Sequence, residues 1–222
     1  MLVGSMLSNS ESWINVTQQD LDKFKKPDTI LQNKFLAYSG NPSKAFMFLE
    51  LGIMPLRYVI MTKRLNFLKY ILCESTTTMI RQVYDVLKQE SRKGDFVNLV
   101  QKDLNEINLK MSDEEIQTFS NGNWKTIVKQ NVKQAAFQHL LSENSSKEKT
   151  KNIVFDQFEM RKYLFINRSQ SLSKVIFAVR SGTLDIKEWT PWKYDDNICV
   201  KCESAAETMS HFAICKSYSI DT

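Results

Sequence analysis

Apolar residues recur at helical spacing along most of the chain, and most regularly between Pro55 and Cys73. One apolar stripe advances there by alternating steps of four and three residues, which is the period of an α-helix. A second apolar set covers another side of the same segment. A helix that is apolar on most of its surface is buried, so this one is predicted to be central. The first stripe is Met54, Tyr58, Met61, Leu65, Leu68 and Leu72, and the second is Leu56, Ile60, Phe67 and Ile71.

Capping signals divide the rest of the chain into further helices. Asn41 followed by Pro42 is typical of a helix start, and Gly52 of the end of that helix. Ser112 with Glu115 three residues later has the pattern of a capping box. The other helices are predicted from Thr76–Thr78 to near Gly94, from Asp95 to Ile107, from Asn123 to Leu141, from Phe155 to Leu164 and from Ser171 to Arg180, with a loop at 142–151.

These elements predict an all-α fold, an irregular helical array with a small zinc module at its C-terminal end. The sequence shows no sustained strand alternation and no internal repeat. Only 6 glycines and 4 prolines are present, which favours long helices joined by short connections. We expect a poorly defined N-terminal segment (1–50), a helical body (51–188) and a zinc-knuckle-like module (189–222).

The zinc prediction rests on three of the four cysteines and one of the two histidines. Two residues separate Cys199 from Cys202, and three separate His211 from Cys215, so each pair can supply half of a tetrahedral shell. Three thiolates and an imidazole suit Zn²⁺, and four protein ligands leave no open position, which predicts a structural site. The alternative is that the cysteines are small buried apolar residues and the histidine lies at the surface. Cys73 is remote in sequence and is expected to be buried.

Composition narrows the class of protein only slightly. The chain has 222 residues, 42% of them hydrophobic, as in an ordinary globular protein, and a net charge of +5. This mildly basic balance is compatible with nucleic acid as a partner but does not require it. No signal peptide is apparent and no apolar run approaches the roughly 18 residues of a membrane span, so no membrane association is expected. Zinc and free thiols fit the cytoplasm or the nucleus.

Two sets of basic residues are candidates for contact with nucleic acid. Lys125, Lys129 and Lys133 lie four residues apart on one helix edge, where like charges repel one another. An anionic backbone would relieve that repulsion. Arg57 and Arg64 share one edge of the central helix. The alternative is that these residues form an ordinary solvated surface.

The sequence offers no set of residues that would make a catalytic site. Tyr194-Asp195-Asp196 lacks the residue that separates the aromatic ring from the acids in the polymerase Tyr-x-Asp-Asp turn. A glycine-rich phosphate loop and a nucleophile elbow are also absent. We therefore expect no enzymatic activity.

Several blocks of the chain together resemble one family. The segments 49–60 and 63–72 are similar to the region after the reverse transcriptase domain of non-LTR (LINE-like) retrotransposon polyproteins. Segments 93–97 and 177–182 resemble later blocks of those proteins, and the Cys199, Cys202, His211, Cys215 set resembles their C-terminal Cys-Cys-His-Cys motif. Segment 9–13 is similar to a block near the end of their polymerase region.

The resemblance implies a non-catalytic fragment or relic of a retrotransposon reverse transcriptase, because the polymerase fingers and palm of that family lie upstream of the similar region. It implies zinc binding and contact with the backbone of RNA or DNA. The alternative from a different class is a zinc-stabilised helical module for protein interaction, without a nucleic-acid role. Whether the five basic residues converge on one surface would separate the two.

Overall fold

A computed structural model describes residues 42–90, 94–166, 170–188 and 191–216. Predictions that concern residues 1–41, including the similarity of segment 9–13 to a polymerase block, lie outside this part. The helices of the described residues are α1 (Lys44–Leu51), α2 (Leu56–Cys73), α3 (Met79–Glu90), α4 (Phe96–Glu106), α5 (Asp113–Thr118), α6 (Asn121–Ser145), α7 (Tyr163–Ile166), α8 (Gln170–Ser181) and α9 (Met209–Ile214), with a 3-10 turn at Pro191–Lys193. The all-α prediction is confirmed.

Helix α2 lies at the centre of this array, as its two apolar stripes predict. It contacts α3, α4, α5 and α6, and α6 also packs on α1. Of its first stripe, Tyr58, Met61, Leu65, Leu68 and Leu72 are buried. Since four other helices surround α2, the order of the helical body depends on the packing of this one segment.

Helix α6 is the long partner of α2, and its buried residues all lie on one side. They recur at every fourth position and are Trp124, Val128, Val132, Ala136, Leu140 and Asn144. The helix begins at Asn121 and continues to Ser145, into the segment that was predicted to be a loop. A buried side-chain contact accounts for the extension, because Asn144 donates to the Thr150 carbonyl at 2.9 Å and accepts from the Thr150 hydroxyl at 2.7 Å.

The helix ends follow local chemistry in most places. Asp95 caps α4, and Ser112 with Glu115 forms the predicted capping box of α5. Gly52 ends α1 in the left-handed region, with φ of 60°, and a Cβ there would lie 2.5 Å from the Met160 amide nitrogen. The start of α1 differs from the prediction, since its N-cap is Ser43 rather than Asn41.

The segment 153–162 is irregular, and the helix predicted from Phe155 to Leu164 is wrong except for its end. Its aromatic side chains pack individually into the core. The Phe155 ring contacts the Phe46 ring edge-on, with centroids 5.8 Å apart. The backbone amide of Arg161 donates to the Glu50 carbonyl at 3.0 Å. Contacts with α1 therefore replace the intrahelical hydrogen bonds that a helix here would have formed.

A buried carboxylate joins α1 to α7 and α8. The side chain of Glu50 is fully buried, and it accepts hydrogen bonds from Arg180 Nε at 2.6 Å and from the Tyr163 hydroxyl at 2.8 Å. A buried charge is tolerated when a cation and further donors satisfy it. This network attaches the segment that leads to the C-terminal module to the helical body.

Cys73 is exposed, which corrects the expectation that it is buried.

No single helix in the described ranges is long and apolar enough to cross a membrane. Helices α1 and α2 pass that test only as a pair, and they are bent by 62° at the break between them.

Candidate metal centre and basic surfaces

The first half of the metal centre is a tight turn that holds Cys199 and Cys202, and backbone hydrogen bonds close this turn. Ile198 and Ala206 form an antiparallel bridge, and the Cys199 amide donates to the Ala205 carbonyl at 2.8 Å. Inside this turn the Glu203 amide donates to the Cys199 carbonyl at 2.9 Å, and Glu203 has a positive φ of 53°. The turn folds the chain back sharply enough for both thiols of the Cys-x-x-Cys pair to face the same side.

The second half is supplied by the short helix α9. Thr208 caps this helix by accepting from the His211 amide at 3.0 Å. The Cys215 amide donates to the His211 carbonyl at 2.8 Å, just past the helix end. His211 and Cys215 are one helical turn apart, so α9 presents both side chains towards the turn.

The four predicted ligands come together. The ligand atoms of Cys199, Cys202, His211 and Cys215 all lie within 4.8 Å of one another, and Cys202 Sγ is 3.2 Å from His211 Nε2. Tetrahedral bonds of about 2.0–2.3 Å place neighbouring donors roughly 3.3–3.8 Å apart, so only a small contraction separates this arrangement from a coordination shell. The cluster can hold one metal ion, and its donor set of three sulfurs and one imidazole suits Zn²⁺.

The surroundings favour the deprotonated form of the thiols. The hydroxyl of Ser204 donates to Cys202 Sγ at 3.2 Å, and together with the Ser204 amide it lowers the pKa of Cys202 to about 6. Burial opposes ionisation of Cys199, but the backbone amides of Cys202 and Lys201 together with the His211 side chain outweigh it and lower the pKa of Cys199. Thiolates are the form that binds metal, and these donors act at the sulfur atoms.

Residues outside the motif tie the metal centre to the chain that precedes it. Glu207 is buried and bridges two segments, since its carboxylate accepts from the backbone amides of Lys187 and Val200, each at 3.2 Å. Glu188 accepts from the Met209 amide at 2.6 Å. These supports were not predicted from the sequence, although Glu207 stands directly before the helix cap Thr208.

Lys187 completes the link on the other side of the module. Its ammonium group donates to Asp196 at 2.6 Å and lies 5.5 Å from the centre of the Tyr194 ring. Asp196 in turn accepts from the Ile198 amide at 2.9 Å. The Tyr194–Asp196 segment, which only superficially resembles a polymerase turn, therefore lies at the entrance to the metal module.

The arginine edge of α2 faces another helix. Arg64 Nε donates to Asp103 of α4 at 2.7 Å, and the two side chains are only 12% and 8% exposed. Arg57 pairs with Glu106, one turn further along α4. Burial raises the pKa of Asp103, while Arg64 opposes that effect. These two arginines bind α4 to α2 and so differ from cations that are available to a ligand.

The lysine edge of α6 is different. Lys125, Lys129 and Lys133 are all exposed, and none of them forms an ion pair with an acidic residue in the ranges that the structure describes. The five predicted basic residues therefore do not act as one set. The two arginines form ion pairs within the helical body, and the three lysines are exposed at the surface of α6.

Comparisons of the chain with known protein families, with curated proteins and with solved structures find no match.

Proposed function

We propose that this protein binds the backbone of nucleic acid through the lysine edge of α6, and that Zn²⁺ holds its C-terminal module in place. The observation that carries the proposal is the contrast between the two sets of cations. Arg57 and Arg64 are neutralised by α4, while Lys125, Lys129 and Lys133 are exposed at a spacing of one helical turn.

Charge repulsion along the lysine edge favours an anionic partner. Three like charges on successive turns repel one another by a few tenths of a kcal/mol per pair. Polyanion phosphates relieve this repulsion, and each contact releases a condensed counterion. The resemblance to the region after a retrotransposon polymerase supports the same partner class. In this proposal the chain has no catalytic role of its own, and a reducing compartment, cytoplasm or nucleus, suits its thiols.

The test is a salt series with labelled RNA, single-stranded DNA and duplex DNA, followed by fluorescence anisotropy. For each phosphate contact, log affinity falls against log salt by about 0.7 for single strands and about 0.9 for duplex DNA. The variant Lys125→Gln/Lys129→Gln/Lys133→Gln is expected to flatten the slope by about two units.

A matched control removes the same charge from other places. Lys102, Lys110 and Lys151 are also exposed and lie on other segments, so replacing these three with Gln changes the net charge equally. The control is expected to change the slope by less than half as much. Equal flattening by both variants would mean that only net charge matters, and an unchanged slope in the α6 variant would contradict the proposal.

One observation favours the alternative, a protein-interaction module. On α3, Met79, Val83 and Val86 are 81%, 50% and 50% exposed and follow one another at steps of four and three residues. An exposed apolar stripe of this kind is typical of a contact surface. If this alternative is correct, nucleic acid binds weakly, and the lysine substitutions leave the salt slope unchanged.

A further inference from the structure

A groove runs between one face of α2 and the first turn of α6. It encloses about 630 Å³, within the usual range for small-ligand sites. Its α2 residues follow helical spacing, so they form a continuous wall. That wall includes Lys63, Asn66, Phe67, Lys69, Tyr70 and Cys73, with Glu74 just past the helix end, and α6 contributes Trp124 and Lys125.

The floor of this groove is part of the buried core. Trp124 is 1% exposed, and its indole N–H donates to the Leu65 carbonyl at 3.1 Å, which fixes the start of α6 against α2. Phe67 contacts the buried ring of Phe96 edge-on, with centroids 5.8 Å apart. The Tyr70 ring lies nearly parallel to the Phe67 ring, at 6.0 Å and 15°. Tyr70 itself is 52% exposed, so the core holds an aromatic surface that is open to solvent.

The polar groups of the groove suit a nucleotide. Lys63 and Lys125 carry positive charge on opposite walls, and Lys125 is also the first residue of the lysine edge. Asn66 lines the groove, and its buried Oδ1 has no hydrogen-bond partner within the described residues. Glu74 is the one carboxylate of the lining, and it interacts with the Tyr70 hydroxyl and raises the pKa of Tyr70. Lys69 is engaged elsewhere, donating to the Ile116 and Gln117 carbonyls.

We propose that this groove holds one unpaired nucleotide of a single strand, with its base on the Tyr70 ring and its phosphate beside Lys125. The inference rests on the proposed function, because the strand continues from Lys125 along the lysine edge of α6. Aromatic rings accept every base by stacking, so the groove confers a preference for single strands without a strong sequence preference. A paired base would first have to leave its duplex stack.

The test uses a labelled ten-nucleotide oligo(dT) and a duplex of mixed sequence. Tyr70→Leu is expected to weaken oligo(dT) binding about tenfold, whereas Tyr70→Phe, which keeps the ring, retains it. Duplex binding is expected to change by less than twofold in both variants. Because Tyr70 is half exposed, neither substitution should lower the thermal midpoint by more than a few degrees.

Cys73 provides an independent readout within the groove, since its thiol is exposed and lines the same wall. Alkylation of the full chain with N-ethylmaleimide, read peptide by peptide in a mass spectrometer, separates Cys73 from the three clustered cysteines. Oligo(dT) is expected to slow alkylation of Cys73 at least threefold, and the duplex is not.

The outcomes distinguish this inference from the proposed function. One outcome contradicts only the groove proposal. In it, oligo(dT) binding has a lysine-dependent salt slope, but Tyr70→Leu does not weaken it and oligo(dT) does not slow alkylation of Cys73. If Tyr70→Leu weakens duplex and single strand equally, Tyr70 has only a structural role, which also overturns the inference. If no lysine-dependent binding exists, both proposals fail together.

Discussion

The helical body and the C-terminal metal module keep their order by different means. In the body, α2 is surrounded by four helices and most of its large apolar side chains are buried. In the module, Trp192, Val200 and Ile214 are 76%, 58% and 77% exposed, while the buried side chains include Cys199 and Cys215. The described residues of this module show no apolar core of their own, so a metal ion held by the four ligands would supply the stabilisation that burial supplies in the body.

The largest effect is expected from removal of the metal. Zinc binding to small finger peptides contributes about 10–16 kcal/mol at neutral pH. We therefore expect that a chelator, or the substitution Cys202→Ser, abolishes amide-exchange protection after about Trp192 and leaves protection in α2 and α6 unchanged. Cys73→Ser is the matched control and should retain one bound ion by native mass spectrometry.

Two findings would break this comparison. If reduced wild-type protein carries no ion in native mass spectra, the Cys-Cys-His-Cys cluster is not a zinc site. If chelation removes protection in α2 and α6 as well, the body and the module form one cooperative unit, and burial alone does not hold the body.

The second prediction compares two tryptophans, one from each region. Trp124 is 1% exposed and hydrogen-bonded to Leu65, so Trp124→Ala should cost about 3–5 kcal/mol in the free energy of unfolding. Trp192 is 76% exposed, and Trp192→Ala should change that free energy by less than about 0.5 kcal/mol. Urea denaturation of metal-loaded protein measures both. Equal costs would show that the module has an apolar core after all.

The third and smallest effect tests whether the body depends on apolar burial alone. Asp103→Ala leaves the largely buried Arg64 without its partner and is expected to cost about 3 kcal/mol. Glu106→Ala breaks the half-exposed pair with Arg57 and is expected to cost less than about 1 kcal/mol. Both substitutions remove one negative charge from α4, and the urea midpoint is measured for both. A negligible cost for Asp103→Ala would show that apolar packing is sufficient between α2 and α4.

Much of the fold could be predicted because its signals are local. The capping box at Ser112, the cap at Asp95 and the left-handed end at Gly52 each involve residues within one helical turn. The four clustered ligands lie within seventeen residues, so their spacing alone indicated that they can share one metal ion. The helix prediction over 155–164 failed, because Phe155 and Phe158 pack on rings of α1 and α6 from an irregular backbone, and those contacts are distant in sequence.

The sequence by itself determined that this protein is helical, that α2 is central and that a Cys-Cys-His-Cys cluster can hold a metal ion, since short-range spacing decides all three. Only the tertiary structure decided which cations are available. The acids that neutralise Arg57 and Arg64 lie 49 and 39 residues away, and the carbonyls that hold Lys69 lie 47 and 48 residues away. Charge partners at such separations leave no periodic trace in a sequence, because the electrostatic energy depends on distance in space and not along the chain.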